Sequence, residues 1–140
     1  MASKDSSSNP ISTKEYSWPG SKILIVEDDP ISSRYFHILL NNKGGDLVHA
    51  DNGKDAVRFC KEDPEITMVL MDIQLPIMDG YDATARIKKF RPNLPIIAQT
   101  AFAMEEDEQK CLNSGFDGYL SKPVNATDLY EMISRLLTQN

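Results

Sequence analysis

The 140-residue chain has no surplus of positive charge. Fifteen Lys and Arg stand against 21 Asp and Glu, a net charge of −6, which argues against a surface built to hold nucleic-acid phosphates. Long apolar runs are missing: ILIV and MVLM reach only four residues each, far short of the roughly 18 that a membrane span needs. The N-terminus, MASKDSSSNP, lacks the apolar core of a signal peptide. Cysteine is scarce, and Cys60 and Cys111 match no metal spacing and are too few for a disulfide framework; both read as small buried hydrophobes. What remains is 41% hydrophobic and 26% charged residues, enough for one core. A single cytoplasmic domain with a tail, making no membrane contact in this segment, is the expectation.

Residues 1–21 are rich in serine and carry Pro10, Pro19 and Gly20 without apolar periodicity. They read as a flexible leader or interdomain linker, with Trp18-Pro19-Gly20 placed to lie against the domain that fills 22–140. From Lys22 onward short apolar runs alternate with amphipathic stretches. Ile23–Val26, Leu47–Ala50, Met68–Met71, Ile96–Ala98 and Gly118–Leu120 read as strands, several continuously apolar, as in a parallel sheet covered on both faces. The first helix starts at Asp29-Pro30 and is expected to turn Ile31, Tyr35, Ile38 and Leu39 inward. The second spans about Lys54 to Lys61 with Ala56, Phe59 and Cys60 inward, and the third buries Ala83, Ile87 and Phe90. The fourth, about Met104 to Ser114, is acidic and ends at Gly115. The fifth is capped by Asn125 and buries Leu129, Met132, Ile133 and Leu136. Five βα units predict a doubly wound α/β domain with helices on both faces. Its size suits the flavodoxin-like strand order 2-1-3-4-5 better than the longer Rossmann arrangement.

The polar residues gather at the carboxyl ends of the strands, where open α/β sheets bind their ligands. Strand one ends in Glu27-Asp28-Asp29, strand three in Asp72, strand four in Thr100, and strand five in Ser121-Lys122. Asp29 reads as a helix N-cap. In the order 2-1-3-4-5, Glu27, Asp28 and Asp72 converge from neighbouring strands, and like charges so close require a cation. Carboxylates without nearby His or Cys select a hard ion, and an expected phosphate favours Mg²⁺ over Ca²⁺, with Mn²⁺ able to substitute. His37 and His49 read as ordinary packing residues, and Glu105-Glu106-Asp107-Glu108 as a solvated helix face.

ILIVEDDP, MVLMDIQLPIMDGYDA, PIIAQTA and GFDGYLSKP, in that order and spacing, closely resemble the CheY-like receiver domain of two-component response regulators, over about residues 22–138. The resemblance implies the flavodoxin-like (βα)5 fold. It implies Asp72 as the phosphoacceptor, taking a phosphoryl group from a phosphohistidine of a histidine kinase or histidine phosphotransfer domain. Asp28, Asp72 and the backbone carbonyl of Gln74 would bind Mg²⁺, with Glu27 acting through water. Thr100 and Lys122 would hold the phosphoryl group, and Thr100 and Tyr119 would switch the face made by the fourth helix, fifth strand and fifth helix. Pro123 fits a cis Lys–Pro junction, and Pro76 and Gly80 fit the loop after strand three. Gln74 and Phe102 would tune hydrolysis. Many members carry Asp where Glu27 stands.

The chemistry agrees, since phosphoryl transfer is mostly positioning and charge neutralisation around a nucleophile, here a carboxylate. A Mg²⁺-dependent aspartyl phosphatase would want a second Asp two residues after the nucleophile, where this chain has Gln74. A flavin carrier would want a Ser/Thr/Gly-rich loop in place of EDDP. The Ser-rich leader before WPGSKILIVEDD looks like the junction ahead of a receiver at the C-terminus of a hybrid histidine kinase, with a stand-alone regulator as the alternative. The domain by itself supports only its own phosphorylation and dephosphorylation, as a monomer or weak dimer without nucleic acid.

Overall fold

The computed structural model describes residues 15–101 and 105–138. Their elements are β1 (Lys22–Val26), α1 (Pro30–Leu40), β2 (Asp46–Ala50), α2 (Gly53–Glu62), β3 (Met68–Asp72), α3 (Gly80–Phe90), β4 (Ile96–Thr100), α4 (Glu105–Asn113), β5 (Gly118–Ser121) and α5 (Ala126–Thr138). The five strands form one parallel sheet in the order β2-β1-β3-β4-β5. Every residue of β3 and β4 is buried, as the unbroken apolar runs require of strands covered on both faces. The edge strand β2 buries only Ala50 fully.

Strand side chains alternate between two cores. Leu24, Val26, Val69, Met71, Ile96 and Ala98 pack on one face against Ala56 and Cys60 of α2, Ala83 and Ile87 of α3, and Cys111 of α4. Ile23, Ile25, Met68, Leu70, Ile97 and Leu120 pack on the other against Phe36 and Leu40 of α1 and Leu129, Ile133 and Leu136 of α5. Both cysteines are buried free thiols. Caps fix the helix starts where sequence placed them: the Asp29 carboxylate accepts from the Ile31 and Ser32 amides, and the Asn125 side chain accepts from those of Thr127 and Asp128.

Two helix faces differ from expectation. In α1 the buried face is Ser33, Phe36 and Leu40, while Ile31 is 80% and Ile38 64% exposed and Tyr35 is exposed as well. The helix carries two apolar stripes, and the one with Phe36 and Leu40, spaced four apart, fills the space over the sheet. Phe90, read as inward, is exposed at the end of α3.

Of the stretch read as a leader, residues 16–21 lie against the folded body. Trp18 is only 8% exposed, and its indole N–H donates to Ser134 Oγ of α5 (3.0 Å). The backbone N–H of Trp18 donates to the Lys43 carbonyl (2.6 Å), and Tyr16 packs on Tyr130 at 5.0 Å between ring centroids.

Candidate functional site

Three strands deliver polar residues to the site at their carboxyl ends, each after a largely buried apolar run. Glu27 follows β1 and is 1% exposed, Asp72 ends β3 and is 5% exposed, and Lys122 follows β5. Period-two alternation puts these three on the face covered by α1 and α5. The Lys122 ammonium bridges the two acids, donating to Glu27 Oε1 (2.8 Å) and Asp72 Oδ2 (3.1 Å). Backbone amides take the other oxygens: Asp29 N–H donates to Glu27 Oε2 (3.1 Å) and Gln74 N–H to Asp72 Oδ1 (3.0 Å). Asp28 is exposed at the mouth of the site, and one oxygen from each of Glu27, Asp28 and Asp72 lies within 4.8 Å of the others.

The electrostatics follow from that packing. Burial is the largest influence on Glu27 and holds its carboxyl above the usual range; Lys122 and the Asp29 N–H oppose it, and Asp72 adds to it. Burial alone would lower Lys122, but its bond to Glu27 and the charge of Asp72 outweigh that and hold the ammonium above its ordinary value. Three carboxylates facing one lysine leave net negative charge in a small volume. The donor set is all oxygen and opens to solvent through Asp28, which fits a hard divalent cation such as Mg²⁺.

The remaining residues singled out in the sequence fall nearby. Thr100 ends β4 and is buried. Tyr119 lies on β5 and packs on the α2–α4 side of the sheet, the side to which alternation also assigns Thr100. Gln74 is exposed in the loop after β3. The Lys122–Pro123 peptide bond is cis. Gly80 opens α3 so close to β3 that a Cβ there would strike the backbone of Asp72 and Ile73, which keeps the loop tucked over the acidic centre. Phe102 lies outside the described residues.

Three residues near the site have roles that the sequence reading did not give them, His49 among them, which was read as ordinary packing and is exposed on β2. The His49 ring N–H donates to the Glu27 carbonyl (2.9 Å), bracing the acidic turn from β2; only the register of β2 on β1 reveals it. Ile77 sits at φ 70° and is exposed, a left-handed conformation that a β-branched side chain rarely adopts. Gln99 is buried in β4 beside Asp72, and its signal was a polar residue interrupting the apolar run PIIAQTA.

Comparison with known proteins gives one consistent picture. Residues 23–134 match the family described as "Response regulator receiver domain". The chain is 40% identical over 121 residues to "Hybrid signal transduction histidine kinase I" of Dictyostelium discoideum, covering 81% of this chain and 7% of that protein. The first curated kinases it matches are far longer, and the chain spans between 7 and 14% of their length. Among solved structures, the receiver domain of a Pseudomonas aeruginosa sensor histidine kinase, with a magnesium ion coordinated in its active-site cleft, is 34% identical at a TM-score of 0.78, covering 85% of this chain and 98% of that one. A Saccharomyces cerevisiae structure that pairs a histidine phosphotransfer signalling protein with the receiver domain of its downstream response regulator matches at 32% identity and a TM-score of 0.78, covering 84% of this chain and 89% of that one.

Proposed function

The chain belongs to the response regulator receiver domain family, and from that membership we propose that Asp72 accepts a phosphoryl group from a phosphohistidine on a histidine kinase or histidine phosphotransfer partner. The observation that carries the reading is Lys122 held between Glu27 and Asp72, with three carboxylate oxygens clustered at the same strand ends. In the transfer, an Asp72 oxygen forms the new O–P bond as the N–P bond of the donor breaks. The imidazole nitrogen keeps the electron pair. Asp28, Asp72 and the Gln74 carbonyl would hold Mg²⁺ directly and Glu27 through water, with Mn²⁺ as a substitute. Bound there, the ion supplies charge neutralisation for the phosphoryl oxygens.

This chain's own residues do the rest. The Gln74 N–H holds the Asp72 carboxylate in place, Lys122 pairs with the incoming phosphoryl group, and Thr100 moves toward it, letting Tyr119 turn inward and reshape the α4-β5-α5 face. Gln74, two residues after Asp72 in sequence, and Phe102, two after Thr100, tune hydrolysis. The partner docks on the exposed apolar face of α1, where Ile31, Tyr35 and Ile38 stand outside the core. A groove lined by Ile31, Tyr35, Phe36 and Val124 supports this, because it runs up to Lys122 itself. The kinase relatives support a place within a longer hybrid histidine kinase; a cytoplasmic location is part of the proposal and rests on the sequence alone. The isolated chain would act as a monomer or weak dimer and bind no nucleic acid.

The test uses a phosphohistidine-bearing phosphotransfer protein mixed with this chain and Mg²⁺. Label should leave the donor and appear on the wild type, and stay on the donor with Asp72→Asn. Transfer to Asp72→Asn at the wild-type rate would refute the assignment. Ile38→Glu should slow transfer from the protein donor and leave phosphorylation by acetyl phosphate unchanged; equal slowing of both would remove α1 as the docking face.

A further inference from the structure

Among the described residues, three buried side-chain atoms have no hydrogen-bond partner: Thr84 Oγ1, and both Nε2 and Oε1 of Gln99. A buried carboxamide left unpaired is costly, and native proteins keep such groups few. Gln99 is 0% exposed and stands in a strand whose preceding residues, Ile96, Ile97 and Ala98, are all apolar and buried. A leucine there would fill similar space without that penalty, so the polar group calls for a reason beyond packing.

Its position supplies one. Gln99 pairs in register with Asp72 of β3 on one side and Leu120 of β5 on the other. Alternation directs its side chain to the sheet face that carries Glu27, Asp72 and Lys122. Neighbouring strands run about 4.8 Å apart, a gap that a glutamine side chain spans. Both Asp72 oxygens are taken in this state, Oδ1 by the Gln74 N–H and Oδ2 by the Lys122 ammonium. The Gln99 carboxamide therefore lies beside the phosphoacceptor with its own donor unused.

We propose that Gln99 is a positioning residue of the phosphorylated state, its N–H taking the place beside Asp72 that Lys122 leaves when the ammonium turns to the phosphoryl oxygens. The inference rests on Asp72 being the phosphoacceptor. The carboxamide is unpaired in the dephosphorylated form and paired in the phosphorylated form, and only such a differential contact can bias a two-state equilibrium. Gln99 also immediately precedes Thr100, so its rearrangement and that of the buried hydroxyl share one strand end.

The test is the affinity for beryllofluoride, a phosphoryl mimic, read by fluorine NMR at saturating Mg²⁺ on wild type, Gln99→Leu and Gln99→Met. The second variant keeps the test open if the first folds poorly. Both should lose beryllofluoride affinity by roughly threefold to tenfold, the range set by one hydrogen bond. Their Mg²⁺ affinity should stay at wild type, and the thermal midpoint of the ligand-free domain should rise. Wild-type beryllofluoride affinity in both variants would overturn the role, and so would a parallel loss of Mg²⁺ affinity, which marks general damage to the site. Failure of the wild type itself to bind beryllofluoride would overturn the phosphoacceptor reading instead.

Discussion

Lys122 is the residue on which the dephosphorylated centre balances, because it faces two buried carboxylates that would otherwise repel. The same arrangement makes it available when a phosphoryl group arrives with more negative charge than either acid. On the proposed assignment of Asp72 as acceptor, how long that group stays depends on a water reaching the phosphorus in line with the Asp72 oxygen. Phe102 offers no hydrogen bond and Gln74 does, which sets their opposite expected effects. Phe102→Ala should speed loss of phosphate and a polar residue there should speed it further, by up to about tenfold, or ~1.4 kcal/mol off the barrier. Hydrolysis followed at saturating Mg²⁺ checks this, and unchanged rates in both variants would show that Phe102 has no part in setting the lifetime. At this scale the sequence was most informative where a polar residue closes an apolar strand, as Glu27, Asp72, Thr100 and Lys122 do. It was least informative for Gln99 and His49, whose importance depends on which strand lies alongside.

Among the elements, the strands were legible because burial on both faces leaves an unbroken apolar run, and only their ends moved, as where β4 extends to Thr100. The inward face of α1 was not legible. Ile31, Tyr35 and Ile38 form as good a stripe as Phe36 and Leu40 on the helix alone, and only the space above β1 and β3 decides between them. The pre-β1 segment likewise has no periodicity to betray it, yet Trp18 and Tyr16 clasp α5 through Ser134, Glu131 and Tyr130. That clasp is part of the domain's stability. Trp18→Ala should cost about 3 kcal/mol, as for a buried aromatic, measured by urea denaturation; a loss near zero would show the clasp to be ornamental. Because the indole bonds to α5, the sole tryptophan should also change its fluorescence if phosphorylation shifts that helix.

At the scale of the whole molecule, the many groups held in their protonated form make the fold sensitive to alkali. Burial pushes the Cys60 thiol up to about 11 from its usual 9.0, and Cys111, Tyr81, Tyr119 and Tyr130 are raised chiefly by the same cause. Between those two values the unfolded chain gives up a proton from Cys60 that the folded domain keeps. Stability therefore falls as pH rises through this window, at up to about 1.4 kcal/mol per pH unit for that one group. Urea midpoints across this range should decline steadily in wild type and less steeply in Cys60→Ala. Equal slopes in the two proteins would contradict the assignment to Cys60.

The central claim concerns one carboxylate and one ion, and intact mass reads both. Incubated with acetyl phosphate and Mg²⁺, the wild-type chain should gain the mass of a single phosphoryl group. It should gain none when the divalent cation is chelated, and Asp72→Asn should gain none under either condition. A phosphoryl adduct of normal yield on Asp72→Asn, or on the wild type without a divalent cation, would contradict the account.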